Sequence, residues 1–95
     1  MDLNAYRKRI DEIDDELVRL FAERMEVSAG IAAYKRENSL PVLDLRREKE
    51  KLRQIAEKTP ESLRDYAVSL YSLIFELSRA YQTRLLGTQD EEGKK

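Results

Sequence analysis

The sequence contains neither cysteine nor histidine. It therefore has no disulfide, no thiol nucleophile and no imidazole base, and it lacks the side chains that bind zinc most often. Tryptophan is also absent, and the 95 residues include only two prolines and three glycines. Any reaction at this protein must therefore run without thiol or imidazole chemistry.

A strong net charge and long apolar runs are absent as well. Eighteen Lys and Arg residues nearly balance nineteen Asp and Glu residues, which leaves a formal net charge of -1 and no general attraction for polyanions. No segment approaches the roughly 18 apolar residues of a membrane span, and the start of the chain does not resemble a signal peptide. We therefore expect a cytoplasmic protein that binds neither nucleic acid nor membranes.

The residues that are present indicate a helical protein. From Leu3 onwards, apolar side chains recur in alternating steps of three and four, a heptad pattern that places them on one face of a helix. This heptad seam consists of Leu3, Tyr6, Ile10, Ile13, Leu17, Leu20, Arg24, Val27, Ile31 and Tyr34. Because only Gly30 and no proline interrupts the segment, we predict a single helix from about Leu3 to Arg36.

Two shorter helices are predicted after Pro41. Asp44 is a suitable N-cap for the second helix, which we expect to end near Lys58. The segment Thr59–Glu61 combines a capping threonine, a first-turn proline and a first-turn acid, and it predicts the start of a third helix that ends at Gly87. The predicted fold class is all-α, with a three-helix protomer and one very long N-terminal helix.

The length of the first helix predicts the oligomeric state. At about 1.5 Å per residue it would span roughly 50 Å, whereas a compact chain of this size is only about 33 Å across. Its apolar ends would therefore need cover from a second copy, and we predict an intertwined homodimer. Within each copy, residues 1–87 are the predicted domain and residues 88–95 a flexible charged tail.

Arg24 occupies a seam position that an apolar residue normally fills. A permanently charged guanidinium in a dry interface is destabilising unless an anion or a hydrogen-bonding group meets it. Lys35 follows eleven residues later, so both cations lie on one helix face, about 16 Å apart. Two interpretations are open: the charge fixes the helix register, or the cations bind an anionic ligand.

Polar residues also interrupt the apolar faces of the other helices. Glu48 lies within the apolar arc of the second helix, so its carboxylate should face the interior. Ser78 and Gln82 lie one turn apart at the edge of the third helix's apolar stripe, where they could line a cavity. Each also has a simpler interpretation. Glu48 could pair with Arg24 or Lys35, and Ser78 and Gln82 could be ordinary helix-surface residues.

The remaining candidates are Arg7, Asp44 and Arg47. Arg7 precedes Arg24 by seventeen residues, about 25 Å along the helix. The two side chains could therefore bind one small molecule only across an antiparallel dimer, with one arginine from each chain. Taken alone, Arg7 and Arg47 could be solvated cations and Asp44 an N-cap. The convergence of polar groups from several helices on one apolar interior favours a ligand site.

The order and spacing of these residues resemble a known family. The matching features are Arg7, the Glu23–Arg24 pair, Lys35, the run Pro41–Glu48, Ser78 and Gln82. Together they resemble the small all-helical chorismate mutases, and the resemblance covers residues 3 to about 86. Its most specific parts are the eleven-residue step from Arg24 to Lys35 and the four-residue step from Ser78 to Gln82.

The resemblance implies a Claisen rearrangement of chorismate to prephenate, at the branch toward phenylalanine and tyrosine. This reaction is a concerted shift within one molecule, so a protein without histidine or cysteine is adequate for it. The resemblance also implies an intertwined dimer with two equivalent pockets, and neither a cofactor nor a metal.

Residue roles follow from the same resemblance. The two substrate carboxylates would be held by Arg24 and Arg47, joined by the partner's Arg7, with Ser78 helping at one of them. These groups would select the folded conformer of the substrate in which the reacting carbons meet.

The other matching residues would contact the ether and hydroxyl oxygens. Lys35 and Gln82 would donate to the ether oxygen of the breaking bond, while Glu48 and the backbone near Asp44 would bind the ring hydroxyl. We expect Lys35, Gln82 and Arg24 to be the catalytic residues, because donors placed where charge develops lower the barrier.

A second hypothesis belongs to another class of protein. The chain could be a non-catalytic helical dimerisation or regulatory module of a shikimate-pathway enzyme, in which Arg24, Lys35 and Glu48 form a buried charge network. Such a network would tolerate Arg24→Leu and show no turnover of chorismate.

Overall fold

The computed structural model describes the backbone of residues 2–93 and the side chains of residues 2–87. The helices are α1 (Leu3–Glu37), α2 (Leu45–Lys58) and α3 (Arg64–Gly93), with a short 3-10 turn at Glu61–Leu63 before α3. No strand occurs between residues 2 and 93. The prediction of an all-helical, three-helix chain is confirmed.

Helix α1 begins and ends at recognisable caps. The Asp2 carboxylate accepts a hydrogen bond from the Ala5 amide at 2.8 Å, which satisfies one of the free donors of the first turn. At the other end Asn38 is the C-cap, and Ser39 adopts a positive φ of 54°. The Leu40 amide then donates to the carbonyl of Lys35 at 2.7 Å, and the chain turns toward α2.

Helix α2 has the bounds that the sequence predicts. Asp44 is its N-cap and accepts a hydrogen bond from the Arg47 amide at 3.0 Å. On its exposed face, the hydrogen bond from Arg53 holds the pKa of Glu50 below its ordinary value. The prediction that Thr59 opens the third helix is wrong, because its hydroxyl donates to the Ile55 carbonyl at 2.6 Å and ends α2 instead.

Helix α3 is longer than the sequence predicts. It runs from Arg64 to Gly93, so the predicted end at Gly87 is wrong. A glycine favours a helix end without enforcing one, since it destabilises a helix interior by only about 1 kcal/mol relative to alanine. The structure describes neither the side chains of residues 88–95 nor the backbone of the last two residues. The prediction of a flexible charged tail at 88–95 therefore lies outside the described residues.

Helices α1 and α2 each pack on α3. The buried core of this arrangement is small, with Ala32 of α1 and Phe75 of α3 as its apolar members. Every residue of α1 from 6 to 23 is exposed, so only the C-terminal part of this helix is covered by its own chain. Across the part of the chain that is described, none of the helices has the length and hydropathy needed to cross a bilayer.

Candidate active site

A cavity of about 560 Å³ lies where the three helices meet. Seven of the eight residues predicted from the sequence line it: Arg24 and Lys35 on α1, Asp44, Arg47 and Glu48 at the start of α2, and Ser78 and Gln82 on α3. Arg47 lines the cavity while its neighbour Arg46 does not. Asp44 both caps α2 and lines the cavity, so its two interpretations are compatible.

Arg24 has neutral partners. Its Nη1 donates to the Ser78 hydroxyl at 3.0 Å, and its guanidinium carbon lies 5.7 Å from the centre of the Phe75 ring. A ring face attracts a cation and a hydroxyl accepts a hydrogen bond, but neither neutralises the charge. The fold therefore orients Arg24 without supplying an anion.

Lys35 is also held by a neutral group. Its Nζ donates to the backbone carbonyl of Val42 at 2.8 Å, which ties α1 to the segment leading into α2. An ammonium has three N–H donors, so two remain for other acceptors. Neither Arg24 nor Lys35 forms an ion pair with any residue in the described part of the chain.

Glu48 forms an ion pair with Arg79, a residue that the sequence analysis did not single out. The side chains are 21% and 33% exposed, so this pair is partly shielded from water. The interpretation that Glu48 neutralises Arg24 or Lys35 is therefore wrong. The pair joins α2 to α3 across one side of the cavity.

Gln82 and Ser28 form a buried hydrogen bond between α3 and α1. The Nε2 atom of Gln82 donates to the Ser28 hydroxyl at 2.8 Å, and the two residues are 7% and 4% exposed. The other atom of the carboxamide, Oε1, is buried and has no hydrogen-bond partner among the described residues. Ser78 is likewise buried, so the interpretation of Ser78 and Gln82 as helix-surface residues is wrong.

The cavity carries an excess of positive charge. Its cations are Arg24, Lys35, Arg47, Lys51 and Arg79, and its carboxylates are Asp44 and Glu48. Both carboxylates accept hydrogen bonds from the protein itself, Asp44 from a backbone amide and Glu48 from Arg79. Within residues 2–87, no cluster of three or more carboxylates is arranged to hold a metal ion. The site therefore suits a small, multiply charged anion.

Arg7 is the one predicted residue that the chain does not bring to the cavity. It is exposed on α1, seventeen residues before Arg24, which is about 25 Å along the helix. This placement agrees with the expectation that Arg7 cannot act at its own chain's site.

Three further polar residues of the cavity were missed by the sequence analysis: Ser28, Lys51 and Arg79. A signal existed for Ser28, since it lies four residues after Arg24 and seven before Lys35, on the same helix face. Arg79 had no comparable signal, because its partner Glu48 is 31 residues away in the chain and only tertiary packing brings them together.

Comparison with known proteins adds to this geometry. Residues 6–83 match the family model described as chorismate mutase type II. The chain belongs to the chorismate mutase type II family. The resemblance found in the sequence is thereby confirmed, and the matched span includes every cavity residue from Arg24 to Gln82.

Individual relatives agree with the family assignment. The chain is 28% identical over 96 residues to a chorismate mutase of Methanocaldococcus jannaschii, with 98% of this chain and 96% of that protein covered. It is 36% identical over 88 residues to a bifunctional chorismate mutase/prephenate dehydratase of Buchnera aphidicola subsp. Schizaphis graminum, with 90% of this chain covered. Only 23% of that bifunctional protein is matched, so the chain spans less than a quarter of its length.

Proposed function

We propose that this protein converts chorismate to prephenate in the cavity between α1, α2 and α3. The observation that carries the proposal is that Arg24 and Lys35 face this cavity with neutral partners only. A dianionic ligand in the cavity would supply the negative charge that these two cations lack. The proposed rearrangement breaks the ether C–O bond as a new C–C bond forms, and no proton leaves or enters the substrate.

In this proposal the cations first select the substrate conformer. Arg24 and Arg47 face the cavity from different helices, so they can hold two carboxylates at a fixed separation. Restricting a flexible dianion to its folded form removes entropy that the uncatalysed reaction must lose at its transition state. Ser78, which already accepts a hydrogen bond from Arg24, would help to orient one carboxylate.

Lys35 and Gln82 would then act on the breaking bond. Negative charge develops on the ether oxygen, and a preorganised donor at such a position typically lowers the barrier by about 3 to 4 kcal/mol. Lys35 has two N–H groups beyond the one bound to Val42, and Gln82 is fixed in a buried position. Glu48 and the backbone at Asp44 would bind the ring hydroxyl.

We also propose that the active form is an intertwined homodimer. The accessible surface is 7865 Å², against about 5,700 Å² expected for a compact protein of this size. The radius of gyration is 17.2 Å, against about 12 Å expected. The excess surface includes the seam residues of α1, among which Tyr6, Ile10 and Leu17 are more than half exposed. A second copy of α1, packed antiparallel, would cover this stripe and bring the partner's Arg7 toward the cavity.

The direct test of the activity is to mix purified protein with chorismate and follow the loss of its absorbance. We expect turnover that needs neither metal nor cofactor. A chain that folds and dimerises but leaves chorismate intact, and that becomes more stable on Arg24→Leu, would instead be a dimerisation module with a structural charge.

The test of site sharing is complementation between two inactive variants. If each site takes Arg7 from one chain and Lys35 from the other, an Arg7→Ala/Lys35→Ala heterodimer has one intact site and one doubly altered site. Random reassortment of equal amounts would then restore about a quarter of wild-type activity, because half of the dimers are mixed. Sites built from a single chain would give no recovery above the sum of the two variants.

The cytoplasmic location stays a prediction.

A further inference from the structure

The buried Gln82–Ser28 pair leaves half of a carboxamide unpaired inside the cavity wall. Nε2 of Gln82 is bound to the Ser28 hydroxyl, while Oε1 has no partner within the described residues. A buried acceptor without a hydrogen bond is destabilising, because it has lost its contact with water and gained no partner in return. An orientation of the Gln82 carboxamide in which both Nε2 and Oε1 form hydrogen bonds should therefore be preferred when a ligand occupies the cavity.

Ser28 can satisfy either end of this carboxamide. A hydroxyl accepts a hydrogen bond from Nε2 in the present orientation, and after a half-turn of the carboxamide it would donate one to Oε1. The terminal torsion of glutamine is broad and roughly two-fold, so both orientations are accessible to the side chain. They differ in what they present on the side away from Ser28: an acceptor in the first and two N–H donors in the second.

We propose that Ser28 is a positioning residue that turns the Gln82 carboxamide toward the reacting bond. With substrate bound, the Ser28 hydroxyl donates to Oε1, and Nε2 donates to the ether oxygen. In the other orientation Oε1 of Gln82 would face the ether oxygen, and neither atom can donate a hydrogen bond. This inference rests on the proposed mutase function, and it adds to it the group that decides which atom of Gln82 meets the substrate.

The burial of Ser28 supports this role over a general structural one. The residue is 4% exposed, lines the cavity and lies one helical turn from Arg24. Among the described residues, the Ser28 hydroxyl forms a hydrogen bond with Gln82 alone. Loss of the hydroxyl should therefore act through Gln82 alone.

The test compares the isosteric pair Ser28→Thr and Ser28→Val, which share a shape and differ in the hydroxyl, together with Ser28→Ala. We expect Ser28→Ala to lower kcat about fivefold with little change in KM, because one hydrogen bond of ordinary strength no longer orients the amide. Thr should exceed Val in kcat by a similar factor. Ser72→Ala is the matched control, since Ser72 lies on the exposed face of α3 and donates to the Val68 carbonyl at 2.8 Å.

A double-mutant comparison separates positioning from structural support. In a Gln82→Ala background, Ser28→Ala should have no further effect on kcat, because the group that Ser28 orients is gone. An equal loss in both backgrounds, or wild-type kcat in Ser28→Ala and Ser28→Val, would overturn the proposal. If the unaltered chain itself fails to turn over chorismate, the proposed function falls and this inference falls with it, whereas normal turnover with indifferent Ser28 variants removes only the inference.

Discussion

The two halves of α1 carry the same heptad pattern but have different surroundings. In the C-terminal half, Ser28 and Ala32 are buried against α3, and Arg24 and Lys35 face the cavity. In the N-terminal half, all residues from 6 to 20 are exposed, including apolar ones such as Ile10 at 55%. A repeat of apolar residues thus indicates that a helix face is to be covered, but it does not say whether the same chain covers it.

The seam contains a charged residue only where it reaches the cavity. From Leu3 to Leu20 the seam is wholly apolar, and the first charge in it is Arg24. The N-terminal half is accordingly suited to association with another helix, and the C-terminal half to binding a ligand. Substitutions in the two halves should therefore affect different properties.

The largest effect should come from the C-terminal half. We expect Lys35→Ala to lower kcat by at least about a hundredfold, because it removes the donor that we propose for the developing charge. Sedimentation should show an unchanged dimer. Lys49→Ala, at an exposed position of α2 outside the cavity, is the control and should keep its activity. Near-normal turnover in Lys35→Ala would contradict the role given to this residue.

A comparable substitution in the N-terminal half should act through assembly. Leu17→Lys places a charge on the exposed apolar seam and should convert the dimer to monomer in sedimentation, with turnover reduced about tenfold or more through loss of the partner's Arg7. Val18 is its matched control, because it is 69% exposed but lies off the seam. If Leu17→Lys and Val18→Lys behave alike, the seam is not the interface.

A smaller effect is expected at the ion pair opposite α1. Arg79→Ala removes one of the five cavity cations and leaves Glu48 without its partner, so KM for chorismate should rise several-fold, by roughly 1 kcal/mol of binding. The variant should remain dimeric. Steady-state kinetics beside Arg84→Ala, an exposed arginine on the same helix, measure the effect. An unchanged KM would show that the pair serves only to join α2 and α3.

The smallest effect belongs to the turn that ends α1. Ser39 has a φ of 54°, a conformation that is unfavourable for β-branched side chains. Ser39→Val should lower the free energy of unfolding by about 1 to 2 kcal/mol, whereas Ser39→Gly should change it little. Thermal unfolding at matched protein concentration distinguishes them. Equal melting temperatures would mean that the turn relaxes without strain.

Much of the site was predictable because it depends on local periodicity. The spacing of Arg24 and Lys35, and of Ser78 and Gln82, follows from helical geometry alone, and the structure brings all four residues to one cavity. The N-cap at Asp44 follows from residue type and position. These features need no knowledge of how the helices pack.

The features that were missed depend on tertiary contacts or on competition between local signals. The partner of Glu48 is decided by the way α2 lies on α3, which no spacing within one helix reveals. Thr59 fits either a helix start or a helix end, and its hydrogen bond to Ile55 selects the end. Gly87 would suit a C-cap, but α3 continues through it.

Because both α1 and α2 pack on α3, the width of the cavity depends on that helix. The wall that carries Arg24 and the wall that carries Arg47 are each positioned relative to α3, so the gap between them depends on the α3 side chains at the contact, such as Phe75. Substitutions on α3 should therefore change the size of the ligand that the cavity accepts, with the charged groups of the other two helices left in place.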